Sequence, residues 1–520
     1  MVYLVRLEQK VESFALQTRL IILFFQVIFN AVIPDHDAEV FNPPTSPTHN
    51  QTAVDSIVDI GVGGLRRWDA VYFIHVAEHG YIYENAIAFF PLYPVMVGKI
   101  ADVFYCFSFA GQIMSKLNLC LIIGVALNVY FFTKSASTLF HLGVQVLKDE
   151  RLAYKAALLF CITPASIFMT APYSECLFTY LFFSGLLAFA SGDTMKAAFW
   201  FGLSASTRSN GLVAIGFILF RRAKGFMSSM QQATKARFET MTEKGMMMAS
   251  MTYLYLTPAI VAVVLCAGPF CLYQYYIYRI FCLSNDADLP NHLVRYGRSQ
   301  NYKLVSDAPS PWCSQLLPLS YSYIQKHHWG VGFLQYYELK QVPNFLLAAP
   351  MLVLSVCACV YYYRLNTDCC HRLGMVQEGQ TDKKTDLQKG NFGFKNTRLF
   401  IYVGHLVFMT VFGIFFAHIQ IMTRLLASTS PVIYWFAARL ITERTYHDNF
   451  SSNQYNIFSP GRVQRVERGA NLQQAQKGNL LIDQISDFWK QSTNTKLVLF
   501  YFMVYFVVGT AAFANFLPWT

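Results

Sequence analysis

Apolar runs of membrane-spanning length alternate with polar segments along the chain. The first apolar core covers residues 19–33 and extends back to Ser13. Others cover 117–133, 156–170, 176–191, 253–280, 344–363, 400–418, 425–441 and 497–517. A helix needs about 20 mostly apolar residues to cross a bilayer. The run 195–220 is long enough for one span, but one span would leave Arg221, Arg222 and Lys224 on the non-cytosolic side, against the positive-inside rule. A polar break at 204–211 interrupts its middle, and two half-spans meeting there restore the parity. Broken helices at membrane depth are tolerated where they line a cavity, so Arg208 should point into one. The pattern gives eleven spans. Only helices or closed barrels satisfy their backbone in lipid, so the fold class is an all-α polytopic membrane protein.

Basic residues assign the sides. Arg6, Lys10 and Arg19 put the N-terminus in the cytosol. The first run lacks a small-residue cleavage site before Pro34 and reads as a signal anchor. A long loop, 34–116, holds nine Asp/Glu against four Lys/Arg and should face the lumen. Asn50-Gln51-Thr52 is a glycosylation acceptor there. Residues 86–105, broken by Pro91 and Pro94, read as an interfacial helix pair. Residues 281–343 form a second luminal loop, in which Cys282 and Cys313 are expected to pair. Segments 365–397 and 442–495 read as flexible cytosolic loops, and the acceptor pattern at Asn449 should stay unmodified.

Composition agrees: 54% of the 520 residues are hydrophobic and 14% charged, against about 25% charged in soluble proteins. The net charge of +11 lies at span ends and does not imply nucleic acid. The 12 cysteines have no zinc spacing.

Chemistry-bearing side chains concentrate at the end of the first loop. Arg66, Arg67, Asp69, His75, Glu78 and His79 fall in fourteen residues, interleaved with Trp68, Tyr72 and Phe73. His75-Val76-Ala77-Glu78-His79 fits the H-x-x-E-H zinc-protease pattern. It has three fixed positions and no acidic ligand at helical spacing downstream, so no metal is expected. Gly61-Val62-Gly63-Gly64 follows no strand and is not a nucleotide loop. Asp69 fits either a helix N-cap or a general base beside the bilayer. Glu175 fits a cap for the helix after it. Arg208 and Arg424 lie between apolar half-spans, where an unpartnered charge is costly; Arg424 could instead snorkel to the surface. His418 and Gln420 add polar groups at that depth, and His327 and His328 fit a solvated loop.

Several of these stretches are shared with a known class. Trp68-Asp69, Glu78-His79-Gly80-Tyr81, Phe89-Phe90-Pro91-Leu92-Tyr93-Pro94, Ala171-Pro172-Tyr173-Ser174-Glu175, Ser206-Thr207-Arg208-Ser209-Asn210-Gly211, Gln341-Val342-Pro343-Asn344, Ser428-Thr429-Ser430-Pro431 and Asn515-Phe516-Leu517-Pro518-Trp519 together resemble the GT-C glycosyltransferases. They most resemble the family that adds the second mannose to the GPI-anchor precursor. The resemblance spans nearly the whole chain except loops 365–397 and 442–495.

It implies dolichyl-phosphate mannose as donor, a GPI-precursor glycolipid as acceptor and a new α-1,6 bond. The site would lie on the luminal face of the endoplasmic reticulum membrane. No tightly bound cofactor or metal is implied, and there is room for a small membrane subunit as partner. The acidic residue that GT-C enzymes carry in the first luminal loop corresponds to Asp69. A β-linked donor and α-linked product imply one inverting displacement, with Asp69 as base and Arg67, Arg208 and His79 as candidates to neutralise the leaving phosphate. Trp68, Glu78, Tyr93, Glu175, Asn210, His418, Gln420 and Arg424 complete the expected substrate-binding set. The alternatives are another lipid-linked sugar transferase of the class, a transporter or a scaffolding subunit.

Overall fold

A computed structural model describes residues 2–38, 40–45, 51–106, 113–235, 241–283, 288–375, 392–442 and 480–519. The chain opens with α1 (Val2–Val32). The first loop carries α2 (Ala53–Val62), α3 (Asp69–His79) and α4 (Leu92–Cys106), and α5 (Lys116–Leu147) follows. Next come α6 (Glu150–Cys161), α7 (Glu175–Ala190), α8 (Thr194–Ala205), α9 (Ile215–Lys235) and α10 (Met241–Tyr278). After the second loop the chain continues through α11 (Val342–Leu365), α12 (Phe400–Phe416), α13 (Met422–Thr429), α14 (Pro431–Leu440) and α15 (Thr493–Ala514). No strand forms among the described residues; Tyr83 and Leu304 make an isolated bridge.

Six of these helices, α1, α5, α10, α11, α12 and α15 with their terminal turns, are long and apolar enough to cross a membrane. The other five expected spans are shorter or more polar pieces: α6, α7, α8, α9, and α13 with α14. Local chemistry explains the breaks. Asp149 caps α6 by accepting from the Leu152 N–H, and α6 ends before Pro164, which has no N–H to continue the ladder. Pro431 stands at the first position of α14, where its missing N–H costs nothing, and so separates α14 from α13. α8 stops at Ala205, a 3-10 turn covers Ser209–Ala214, and α9 begins at Ile215. The expected break at 204–211 is therefore a real gap between helices. The interfacial pair expected at 86–105 is a 3-10 turn, Glu84–Ala88, followed by α4.

The core lies where α5, α6, α7 and α14 pack together. Every residue of α6 from Leu152 to Cys161 is buried. By contrast α10 leaves Leu254, Ile260, Val264 and Leu272 more than half exposed, as suits a helix facing lipid. The first loop is held from below. Asp55 closes a capping box with Thr52 at the start of α2. It also accepts from the Ser115 N–H and the Asn118 amide at the start of α5, both at 2.9 Å. α4 can lie across α3 only because position 98 is glycine: a Cβ there would sit 2.2 Å from the Ala77 carbonyl oxygen. A disulfide joins Cys282, in the π-helical turn Arg279–Leu283 that follows α10, to Cys313 in the second loop, as expected. Asn50, Asn449 and much of the loops read as flexible, 376–391 and 443–479, lie outside the described residues.

Arg19 departs from its sequence reading. It is not a flanking topogenic charge but a fully buried residue within α1. Its guanidinium donates to the Cys161 carbonyl at 3.0 Å, the Ser166 carbonyl at 2.8 Å and the Thr170 hydroxyl at 3.0 Å. Its central carbon stands 3.7 Å from the centre of the Phe132 ring. These carbonyls belong to the end of α6 and the non-helical stretch leading to α7, where the backbone cannot satisfy itself. Each buried acceptor left without a donor costs about 1–3 kcal/mol. Arg19→Leu should therefore destabilise the protein by on the order of 2–5 kcal/mol. Arg19→Lys should recover only part of that, since an ammonium lacks the planar fork. Thermal unfolding in detergent reads both. A melting temperature equal to wild type for Arg19→Leu would show that the arginine carries no such load.

Candidate active site

The site begins with a strained residue. Trp68 has φ +53°, in a left-handed region that bulky side chains avoid. The turn drives the chain abruptly into α3, and Asp69 is the first residue of that helix. The N-cap is thus Trp68, not Asp69, and the Asp69 side chain does not cap. Its Oδ2 instead lies 2.7 Å from Nη1 of Arg424, on α13. The Asp69 N–H donates to the Tyr173 hydroxyl at 3.1 Å, which fixes the entry of α3 against the turn before α7.

Glu175 opens α7 and has no exposed surface. Its Oε1 is 2.5 Å from Nη1 of Arg208 and 3.6 Å from Nη1 of Arg424. The start of α7 favours a carboxylate through the helix dipole. Arg208 also reaches the Ser174 hydroxyl at 3.5 Å. The rings of Phe168 and Tyr173 flank the Arg424 guanidinium at 5.3 and 5.6 Å. Two carboxylates and two guanidiniums thus alternate as Asp69, Arg424, Glu175 and Arg208. Arg424 does not snorkel; it stands between the two carboxylates of this chain.

The ion-pair chain borders a cavity of about 530 Å³. Asp69, Arg208, Asn210, His418, Gln420 and Arg424 line it, and Glu175 lies behind the two arginines. One wall is apolar: Phe408, Phe412 and Phe416, at four-residue spacing on α12, each stay more than a third exposed. The second loop forms another wall with Tyr321, Gln325 and Trp329. Gln420 accepts from the Tyr336 hydroxyl at 2.9 Å, and the His418 ring stacks on Tyr336 with centroids 4.5 Å apart.

Five expected residues stand elsewhere. Arg67 pairs with Asp35 at 3.1 Å, donates to Asn30 and the Ala514 carbonyl, and lies over the Phe516 ring. It ties the ends of α1 and α15 to the first loop, and is spent there. The Trp68 ring packs edge-on against Phe516 at 5.9 Å. Tyr93 is buried and donates to the Gly124 carbonyl at 3.1 Å, so it fastens α4 to α5. Glu78 and His79, 3.5 Å apart, line a separate crevice of about 20 Å³ with Arg66 and His75, room for little more than a water. Burial, with His292 and Lys116 adding to it, pushes His79 down to about 4. Burial and His79 push His75 down to about 3. A neutral His79 outside the cavity is no cation for a leaving phosphate. His75 stacks on Tyr83 at 5.1 Å. Among the described residues no group of three or more His, Cys, Asp or Glu is gathered as a metal site.

Glu84, passed over in the sequence, organises the second loop. It is 2% exposed and accepts from the Trp312 indole N–H at 2.9 Å and the Ser310 hydroxyl. Its other oxygen is 3.0 Å from Nε2 of His328, so His328 is engaged rather than solvated. His327 stacks on Tyr323. The signal in the sequence was a lone acid among apolar residues, but its partners lie more than 220 positions away.

A family model described as mannosyltransferase (PIG-V) matches residues 8–520. The chain is 38% identical over 522 residues to the GPI alpha-1,6-mannosyltransferase 2 of Cricetulus griseus, covering 99% of each chain. It is 36% identical over 515 residues to that of Homo sapiens, covering 98% of each. Among solved structures it is similar to the apo oligosaccharyltransferase of Archaeoglobus fulgidus at a TM-score of 0.42 and 12% identity, covering 97% of this chain and 56% of that one.

Burial alone would raise the Glu84 carboxyl, but hydrogen bonds from His328, Ser310 and Trp312 outweigh it and hold it below its ordinary value. A lowered carboxyl stabilises the fold fully above its unfolded value, about 4.3, and loses that contribution as pH falls through its folded value. Glu84→Gln should cost on the order of 1–3 kcal/mol at pH 7, and the difference in melting temperature from wild type should close below pH about 4. A difference that stays constant from neutral to acid pH would mean that the charge on Glu84 is not what the second loop holds.

Proposed function

The chain belongs to the PIG-V mannosyltransferase family, and on that basis we propose that the cavity at Asp69 transfers the second mannose, in α-1,6 linkage, onto the GPI-anchor precursor. The donor in this reading is dolichyl-phosphate mannose. In this reading the site faces the lumen of the endoplasmic reticulum; the few Lys and Arg of the first loop and the basic cluster Arg221, Arg222 and Lys224 beyond the break support that side. The observation that carries the reading is the cavity itself. A carboxylate and two guanidiniums meet at one end of a space whose other wall is apolar and open along α12. A phosphosugar on a long hydrocarbon chain needs both surfaces.

The reaction is one displacement. The acceptor hydroxyl attacks C1 of the donor mannose from the face opposite the phosphate. The C1–O bond to phosphate breaks, and its electron pair stays on the phosphate oxygen. The hydroxyl proton passes to Asp69. Arg208 and Arg424 stand where that phosphate charge develops, and Glu175 fixes both. Asn210, His418 and Gln420 supply polar contacts for sugar hydroxyls.

Asp69→Asn keeps the size of the side chain and a polar contact to Arg424, but accepts no proton. General-base catalysis contributes typically ~10²–10⁴-fold, so mannosyl transfer per unit of folded protein should fall by about that factor. Asp69→Glu displaces the carboxylate by about one bond length and should also be poor, since errors near 1 Å can cost on the order of 10²-fold. Transfer of labelled mannose by purified protein gives the rate. Restored surface GPI-anchored protein in cells lacking the native enzyme gives the cellular readout. Near-normal activity of Asp69→Asn at matched expression would sink the catalytic assignment and leave the family membership untouched.

A further inference from the structure

The motif Gln341-Val342-Pro343-Asn344 sits at the opening of α11, away from the ion-pair chain. Pro343 stands in the first turn, where backbone N–H groups have no partner within the helix to lose. Gln341 is the N-cap, but its side chain makes no capping bond. Its Oε1 instead accepts from the Asn344 amide at 2.7 Å, across the first turn. The same amide donates to the hydroxyl of Tyr336, in the second loop, at 2.8 Å. Both hydrogens of that amide are then committed, and its third contact, to Oε1 of Gln420 at 3.5 Å, is long for a hydrogen bond.

The Tyr336 oxygen accepts from Asn344, so its one hydrogen goes to Oε1 of Gln420, 2.9 Å away. Counting hydrogens thus gives the network a direction, from Asn344 through Tyr336 to Gln420. Gln420 lines the cavity, as does Arg424 four residues on. With its oxygen held, Gln420 offers the cavity its amide N–H groups, and that nitrogen is not an enclosed atom. A side chain already held in place has less rotamer freedom to lose when a ligand arrives. The Tyr336 ring also stacks on His418, so one residue of the second loop backs two residues of the cavity wall.

We propose that Tyr336 and Asn344 are positioning residues for the transfer: they fix the polarity of the Gln420 amide, so that its N–H donates to an oxygen of the transferred sugar. This rests on the transferase reading above. Tyr336→Phe keeps the ring on His418 and removes the hydrogen that holds Gln420. Asn344→Asp keeps the shape but replaces a donor by an acceptor, so the Tyr336 hydrogen turns toward it and away from Gln420. Gln420→Leu keeps the bulk and removes the contact itself. Losing one hydrogen bond to a ligand corresponds to about fivefold to tenfold.

The test is steady-state mannosyl transfer by the purified full-length protein, with dolichyl-phosphate mannose and a mannosylated glucosaminyl-phosphatidylinositol as substrates. Gln420→Leu should raise KM for the donor about fivefold to tenfold and leave kcat within about twofold. Tyr336→Phe and Asn344→Asp should each raise KM similarly. Either of them combined with Gln420→Leu should be no worse than Gln420→Leu alone. That non-additivity is the mark of residues acting through Gln420. A merely structural Tyr336 would instead lower the amount of active protein, and with it kcat, at an unchanged KM. Should Tyr336→Phe fail to fold, Asn344→Asp carries the same cycle. An unchanged KM for Gln420→Leu overturns the contact. A raised KM for Gln420→Leu with an unchanged KM for Tyr336→Phe and Asn344→Asp overturns the positioning role, as do additive losses in the double variants. A wild-type protein that transfers no mannose overturns the proposed activity, and this inference with it.

Discussion

Glu175 has no exposed surface and stands between two arginines. A lone carboxylate so deep in an apolar fold would be expensive by several kcal/mol, and removing one member of such a pair typically costs 3–5 kcal/mol. The guanidiniums need carboxylates in turn: Arg208 takes Glu175 at 2.5 Å, and Arg424, 3.6 Å from Glu175, takes Asp69 at 2.7 Å. Arg208 comes from the gap between α8 and α9, Arg424 from α13, and Glu175 from the start of α7. Asp69 then joins from the first loop through Arg424. Four segments far apart in sequence are drawn to one point by the need to neutralise charge where water is scarce. The cavity exists where it does because these segments cannot pack there without one another.

The same scarcity governs the backbone. The stretch from Ile162 to Ser174 is buried and largely non-helical, so its carbonyls need donors that helix geometry does not supply. Arg19 provides them from within α1. The amide of Asn128 does the same from α5, donating to the Tyr173 carbonyl at 3.0 Å. Irregular backbone at membrane depth survives only when buried in protein or lining a cavity, and here it does both. Its far end delivers Tyr173 and Glu175 to the site. The apolar scaffold and the reactive end are thus one piece of chain, and the arginine that looks like a topology signal is a brace for it.

The six long spans were legible because hydropathy is a one-dimensional signal that lipid enforces. The break at 204–211 was legible because charge parity failed without it. Asp69, Arg208 and Arg424 stood out because charges between apolar runs demand partners. Which partner each would take was not legible. Arg67 and Arg208 read alike in sequence, but Arg67 is consumed by Asp35 and the end of α15, a contact between residues 447 positions apart. Tyr93 lies in a shared motif, and its hydroxyl serves the α4–α5 joint rather than the cavity. His79 shares a helix with Asp69, but α3 turns it toward a different crevice. Glu84 showed only as a lone acid among apolar residues, and Trp329 carried no local pattern, because the partners of both lie across two loops.

The ion pair of Asp69 with Arg424 gains a further significance in the proposed reaction. Before transfer, Asp69 is charged and holds Arg424 at 2.7 Å. As the acceptor proton arrives, Asp69 becomes neutral and its hold on Arg424 weakens. In the same step the leaving phosphate gains a negative charge within the same cavity. At an effective dielectric of about 20, two unit charges 4 Å apart interact by about 4 kcal/mol, so an attraction of that size can pass from carboxylate to phosphate without any charge entering or leaving the site. Arg208 takes no part in the exchange, because its partner Glu175 does not react. Glu175 remains within 3.6 Å of Arg424 and keeps that guanidinium in place while its other partner changes. Cations held ready in this way require no solvent reorganisation as charge develops, which is where electrostatic stabilisation of a transition state is most effective. A second carboxylate that never touches the proton is therefore as necessary to the arrangement as the one that does.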